Sequence, residues 1–400
     1  MNSRYWTTLA GVVTLWLGLA MGASTVVAGA AARPAADRVV SVALGDEHGC
    51  ALTLGGTVRC WGRNSSGQLG DGTRQDRARP TLVSGLSEVA QLAAFGARTC
   101  ATRRNGTVLC WGSVGGLLAD GAVPVFNQAP SEAWDRTAPQ PVAGLTDVAQ
   151  IAIGGEHLCA LLRDGSVRCW GYNADGQLGD GTQVARAQPV RVPKLGRVTQ
   201  LALGVSHSCA LLADGGVRCW GANEGGQLGD RTTTGRLLPT PIPEFAGIAQ
   251  LSASGSAVCA RLANGTARCW GWNTHGKLGD GTTRSHAIPM SVHDLEGIRE
   301  IILGSGHGCA LRPDRTVWCW GDNSKGQLGN RERERSLIPM QVALTGNVVG
   351  LASAGQVEGD HACALLDLGQ IVCWGRNDHG QLGRGSVGPR DLPALVDWPR

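Results

Sequence analysis

The tripeptide Cys-Trp-Gly occurs seven times in this chain, beginning at Cys60, Cys110, Cys169, Cys219, Cys269, Cys319 and Cys373. Four of the six intervals are 50 residues long, and the other two are 59 and 54. A second cysteine stands ten residues before each: Cys50, Cys100, Cys159, Cys209, Cys259, Cys309 and Cys363. All 14 cysteines are thereby used. A fixed period of about fifty residues means that one supersecondary unit is stacked on copies of itself. The 60 glycines among 400 residues make a mostly helical unit untenable, because glycine weakens helix interiors.

The third copy shows the local logic. Cys159-Ala-Leu-Leu and Ser166-Val-Arg-Cys169 flank the loop Arg163-Asp164-Gly165. Two short apolar stretches around a glycine-containing turn read as a β-hairpin. The third loop position needs positive φ, which glycine adopts without steric cost. The sixth copy departs, with Arg315 where glycine is expected. With residues 163–165 as the loop, Cys159 lies directly opposite Cys169 at a non-hydrogen-bonded site, where strands approach most closely. That spacing is within disulfide reach and predicts seven local bridges, one per hairpin. The competing reading is zinc, which prefers a C-x2-C knuckle and four converging ligands. Nine residues between cysteines that face one another across a hairpin do not supply that.

Each Cys-Trp-Gly is followed by Asn-x-x-Gly-Gln-Leu-Gly or a close variant, as from Asn173 to Gly179. Lys277 replaces glutamine in the fifth copy, and the second copy has lost the motif. A Pro-x-x-Val or Ile element comes next (Pro189 and Val192, for example), then an apolar pair such as Val198 and Leu201. About four short strands per copy, seven times over, predict an all-β, seven-bladed β-propeller. The chain ends on Pro393-Ala-Leu-Val396, the element that the first copy was expected to lack. Pairing of the N- and C-terminal strands would then close the ring and remove two exposed edges.

The pattern Gly-x-x-His-x-Cys-Ala-Leu, then Gly-x-Val-x-Cys-Trp-Gly-x-Asn-x-x-Gly-Gln-Leu-Gly, resembles the regulator of chromosome condensation repeat. The resemblance covers about residues 38 to 400 and implies a seven-bladed propeller. Members include a nuclear exchange factor for a small GTPase, a plant ultraviolet photoreceptor and secreted bacterial β-lactamase-inhibitory proteins. Such varied uses of one fold carry no single function over to this chain.

Residues 1–30 carry one cation, Arg4, then an apolar run from Leu9 to Met21 and small residues through Ala28-Gly29-Ala30. This is the layout of a secretory signal peptide. The alternative is an uncleaved anchor, for which the run is short. The expected division is a signal over 1–30 and a propeller over 31–400. Export to the medium, periplasm or cell envelope agrees with seven bridges and conflicts with exchange on a nuclear GTPase. A formal net charge of +4 does not by itself argue for nucleic acid.

Function is written in what fails to repeat. The motif tryptophans read as a structural ring. His48, His157, His207, His307 and His361 stand two residues before their blades' first cysteines. Rotation separates equivalent positions too far to share one metal ion, so backbone hydrogen bonding is the expected role. Arg98 and Ala257 replace the histidine in blades two and five and mark these as the most diverged. Asn173-Ala-Asp175-Gly faintly resembles a calcium loop but lacks the full ligand ladder, and it reads as a turn. No G-x-S-x-G, H-E-x-x-H or P-loop motif is present. No catalytic residue, metal or cofactor is nominated.

The candidate partner-binding residues are Phe126 and Trp134, in an insertion spanning roughly Ala122 to Thr137, and Tyr172, Trp272 and Arg376, each just after a Cys-Trp-Gly. Aromatic and arginine side chains anchor interfaces, and a rigid scaffold can present them on loops. The expected protein is an exported, monomeric, non-enzymatic scaffold binding a protein or a surface polymer. The alternatives are an inhibitor of a secreted enzyme and an enzyme with its site at the channel mouth.

Overall fold

The computed structural model describes residues 35–114, 117, 134–243, 245–355, 359–388 and 390–399. The expected signal segment lies outside the described residues. Seven antiparallel four-stranded sheets follow one another, over residues 39–82, 89–141, 148–191, 198–241, 248–291, 300–341 and 348–395. The molecule is a seven-bladed β-propeller. No α-helix occurs among the described residues; a 3-10 turn, Ala35–Asp37, precedes the first strand.

Within each blade the strands pair in sequence order, and the first strands touch one another around the axis. Loops joining first to second and third to fourth strands share one end of the disk, here the upper face. The hairpins joining second to third strands, and the blade-to-blade connectors, form the lower face. Apolar side chains alternate toward the two neighbouring blades. Leu52, Val58 and Cys60 of blade one, for example, pack with Val89, Leu92 and Trp111 of blade two.

The cysteine register follows the hairpin reading. Cys159 faces Cys169 with Cα atoms 4.1 Å apart, and each of the other six pairs is bridged in the same way. Arg315 keeps the conformation that its sister glycines adopt. Its φ is +70°, and its amide donates to Arg312 O at 3.0 Å. A non-glycine residue there costs about 1 kcal/mol. Arg315→Gly is therefore expected to stabilise the ring by about that amount in urea denaturation, less whatever its 3.3 Å ion pair with Asp367 contributes.

Two glycine positions are dictated by space. In Cys-Trp-Gly, Gly171 has φ +109°, and a Cβ on it would stand 2.6 Å from Glu156 O. This glycine follows the irregularity at Trp170, where the register with the fourth strand slips. Gly154 backs onto its own blade's histidine, since a Cβ there would lie 2.2 Å from His157 Cε1.

Ring closure differs from the sequence expectation. The C-terminal strand, Arg390–Leu395, pairs with Ile371–Gly375 inside blade seven, and blade one is complete without it. The reason is Pro80-Thr-Leu-Val83, a Pro-x-x-Val element that supplies blade one's own fourth strand, Arg77–Leu82. The seam between blades seven and one is closed by side chains and by a backbone bond from Gly385 N to Ala78 O at 2.7 Å. Trp61 Nε1 donates to Gln381 O at 2.8 Å, and Trp398 packs edge-on to Trp61 with centroids 6.5 Å apart. Arg79 pairs with Asp397 at 2.7 Å. Seven outer edges remain, and every outer strand carries a proline, from Pro80 to Pro393. A proline cannot donate to an added strand, so these edges resist edge-to-edge association.

Candidate partner-binding face

The residue after each Cys-Trp-Gly is pinned to the upper face by one repeated hydrogen bond. Tyr172 N donates to Glu156 O at 2.8 Å, Trp272 N to Ser256 O at 2.9 Å, and Arg376 N to Asp360 O at 2.8 Å. Tyr172, Trp272 and Arg376 therefore share a face, but they belong to blades three, five and seven and form no single pocket. Trp272 is 47% exposed, and its indole crosses Gly225 of blade four so closely that a Cβ there would overlap it. Tyr172 is half-buried. Arg376 is committed at the blade seven–one seam, 2.7 Å from Asp378 and 3.4 Å from Glu47. Glu47 is buried and also meets Arg63 and His379.

Phe126 lies outside the described residues. Trp134 is half-buried immediately before the fourth strand of blade two, Asp135–Pro141. The insertion expected to reach Thr137 therefore stops at Trp134, because Asp135, Arg136 and Thr137 are already strand. Asp135 is also held by Arg74 of blade one at 2.6 Å.

The repeated polar residues are consumed inside the ring. Each motif tryptophan is fully buried and donates Nε1 to a carbonyl of the preceding blade, as Trp220 does to Gln177 O at 2.9 Å. In blade three the partner is Leu117 O, at 2.7 Å, so the bond survives the loss of the Gln-Leu-Gly motif in blade two. Asn173 Nδ2 donates to Asp180 and to Thr182 O, and its Oδ1 accepts from Leu178 N, which makes it a turn staple. Among the described residues no three His, Cys, Asp or Glu side chains are placed to hold a metal ion.

Three of the five histidines bond to the next blade's hydroxyls, whereas His361 bonds to backbone at Asp46. His48 Nε2 meets Thr99 Oγ1 at 2.7 Å, His157 meets Ser208 Oγ at 2.8 Å, and His307 meets Ser353 Oγ at 3.0 Å. Thr99 and Ser208 pass the bond on to Gln68 O and Gln177 O. Burial drives the imidazole pKa of His48, His157, His207 and His361 down to about 3, and that of His307 to about 4. Fully buried neutral rings offer nothing to a substrate.

The departures in blades two, five and seven explain one another. Phe95 and Ser254 occupy the position of Gly154 in blades two and five. Ser254 Oγ donates to Gly355 O of blade seven at 2.6 Å, Gly255 N donates to the same carbonyl at 3.2 Å, and a Cβ on Gly355 would lie 2.8 Å from the Phe95 ring. Neither blade two nor blade five adjoins blade seven, so blade seven's backbone crosses the upper mouth of the channel. Ala257 leaves room beside this crossing. Lys277 fills it, donating to Ser305 O at 3.0 Å and Ser254 O at 3.3 Å. Burial lowers its ammonium pKa to about 8. Outside this crossing, burial raises Asp360 to about 6, with Asp322 adding to the shift.

A belt around the axis went unread in the sequence. Gln150, Gln200 and Gln250 each hold the first strand of the following blade by both amide atoms. Gln200 Oε1, for instance, accepts from Leu251 N at 2.9 Å, while Nε2 donates to Leu251 O at 2.9 Å. The signal was a glutamine recurring just before the second member of the apolar pair in blades two to five, at Gln91, Gln150, Gln200 and Gln250. In blade six Glu300 takes this place and accepts from Leu351 N at 3.2 Å. Burial pushes its carboxyl up to about 7, against the pull of Leu351 N, Arg299 and Arg261. A raised acid contributes stability that is full below about pH 4.5 and is lost as the pH rises through about 7. Glu300→Gln is expected to restore the two-way clasp. It should stabilise by about 1–3 kcal/mol at pH 8 and change little at pH 4.5, read from paired thermal melts.

A family model described as "RCC1-like domain" matches residues 22–297. The chain belongs to the RCC1-like repeat family. Models of the regulator of chromosome condensation (RCC1) repeat also match residues 298–327 and 359–381, and residues 314–365. The RCC1-like chain is 30% identical over 161 residues to the ultraviolet-B receptor UVR8 of Arabidopsis thaliana, covering 39% of this chain and 34% of the receptor. It is 30% identical over 165 residues to the human E3 ubiquitin-protein ligase HERC2, covering 40% of this chain and 3% of the ligase. Thus the matched stretch spans about a third of the one relative and a small part of the other. Among solved structures, human WBSCR16 superposes with a TM-score of 0.71 at 25% identity, covering 83% of this chain and 88% of that one. Yeast RCC1 (Prp20), solved bound to Kap60, gives 0.73 at 21% identity, covering 86% and 85%. RCC1-like propellers thus include protein-binding members. No helix among the described residues of this one is long and apolar enough to cross a membrane.

Proposed function

We propose that this RCC1-like propeller is an exported, monomeric, non-catalytic scaffold that binds a protein or a surface polymer. The observation that carries this reading is the contrast between a ring locked by repeated contacts and non-repeating side chains left on its surface. Seven bridges, one per blade, fit a non-reducing, extracellular-type environment. The repeated histidines, asparagines and tryptophans are occupied in holding the blades together. Trp272 stands out on the upper face as a large exposed aromatic in a chain with few, and aromatics of this kind anchor interfaces.

Two measurements test the reading. N-terminal sequencing of the protein recovered from its native host should start near residue 31, with every cysteine resistant to alkylation. An intact start together with free thiols would sink the export claim. Capture of envelope and medium proteins on the oxidised ring should lose partners in Trp272→Ala and retain them in a variant altered only at the hairpin Ala213-Asp214-Gly215. Equal losses from both would remove the upper face from the model.

A further inference from the structure

The lower rim of blades two to four carries a concentration of cations that the overall charge conceals. Five arginines gather around the blade-three hairpin. Arg163 lies in the turn and donates Nη2 to Arg104 O of the blade-two turn at 3.0 Å. Arg168 is on the return strand, directly opposite Arg191 in the fourth strand. Arg197 packs its Cγ against Gly165. Lys194 sits between Arg191 and Arg197 in the connector to blade four. All six side chains are exposed.

The charge of these cations is only partly offset among the described residues, with Asp164 a Coulombic neighbour of Arg191. None of the six forms an ion pair among the described residues. The carboxylates at the same end of these blades, Glu88, Asp147, Asp164 and Asp214, form none with them either. Asp164 instead accepts from Ser166 N and Oγ at 2.8 and 2.7 Å, and Asp214 from Gly216 N at 2.9 Å. Cross-strand neighbours share a face, so Arg168 and Arg191 are like charges placed side by side, an arrangement that costs stability. The position of Arg168 is also arginine in the next two blades, Arg218 and Arg268, each just before the second cysteine. A row of one charge per blade suits a ligand whose own charge repeats along its length.

We propose that this lower rim binds a linear anionic polysaccharide, with guanidinium groups from Arg168 and Arg191 paired to its sulfate or carboxylate groups. This rests on the scaffold reading above and names the polymer class that it leaves open. Guanidinium forks match such planar or tetrahedral anions through two parallel hydrogen bonds. A polysaccharide is favoured over a single-stranded nucleic acid because base stacking needs exposed aromatic rings. The one aromatic in their strands, Trp170 beside Arg168, is fully buried, and their turns and connector hold none.

Heparin is the probe, with duplex DNA as the competing polymer, and binding is followed against salt at constant pH. The oxidised wild-type protein should bind heparin more tightly than DNA, with affinity falling as salt rises. Arg168→Glu/Arg191→Glu should weaken heparin binding by about tenfold or more and flatten the salt slope. Arg191→Glu alone should weaken binding while raising Tm, because it turns a like-charge pair into an opposite pair. That combination separates lost binding from lost folding. Unchanged heparin affinity in the double variant would overturn the proposal, as would tighter binding of DNA or an equal loss in Trp272→Ala. Failure here leaves the upper-face capture result standing, and failure of that capture leaves the heparin result standing.

Discussion

Reduced protein is expected not to fold. Each bridge closes a loop with a sequence separation of 10, and in the chain-entropy model such a loop contributes about 2–3 kcal/mol. Seven of them sum to roughly 15–20 kcal/mol, more than the net stability of about 5–15 kcal/mol typical of a folded domain. The readout is built in, because the seven motif tryptophans are buried beside the bridges. Adding a thiol reductant in mild urea should shift tryptophan emission to the red and abolish the cooperative melt. Replacing only Cys159 and Cys169 by serine should lower stability by about 2–3 kcal/mol and leave the remaining ring folded. Native emission and an unchanged melt after full reduction would show that blade packing alone holds the ring.

Acid should open the ring through the five buried histidines. Their folded pKa values are depressed to about 3 or 4, whereas an unfolded histidine titrates near 6.5. The unfolded chain then binds more protons, so stability is fully present above about pH 6.5 and is lost as the pH falls toward the folded values. At pH 5 the loss is about 2 kcal/mol per histidine, on the order of 10 kcal/mol for the set. Glu300 and Asp360, shifted the other way, offset only part of it. The urea midpoint should fall steeply between pH 7 and pH 5, and His157→Gln should make the fall shallower. A midpoint flat over that interval would mean that the imidazoles are solvated or paired with a carboxylate.

The blades were legible in the sequence because their constraints are local. A ten-residue cysteine spacing, a glycine at the end of a turn and alternating apolar residues each specify a few neighbouring residues, and the register of Cys159 on Cys169 followed from them. What escaped lay between blades. The histidine hydroxyl partners Thr99, Ser208 and Ser353, and the glutamine belt from Gln150 to Gln250, depend on which side chains face across a seam about fifty residues away. The ring closes otherwise than expected because Pro80-Thr-Leu-Val83, which lies closer to its Cys-Trp-Gly than the sister element of blade two, supplies blade one's fourth strand. The exchange between Phe95, Ser254 and Gly355 joins non-adjacent blades, and no periodicity could show it. Of the candidate binding residues, the alignment of Tyr172, Trp272 and Arg376 on one face was foreseeable from their common position. The pairing of Arg376 with Glu47 was not.

Closure without a shared sheet has a consequence for how such a chain can be rearranged. Every sheet is built from one continuous stretch, and the seam between blade seven, ending at Leu395, and blade one, starting at Val39, is built like the other six. Linking the last strand of blade seven to the first strand of blade one and opening the chain at any other seam, such as between Arg191 and Val198, would leave all seven sheets and all seven bridges intact. The molecule is therefore a circle written out from an arbitrary starting point. Whole blades are the natural units in which such a gene can gain, lose or reorder its parts.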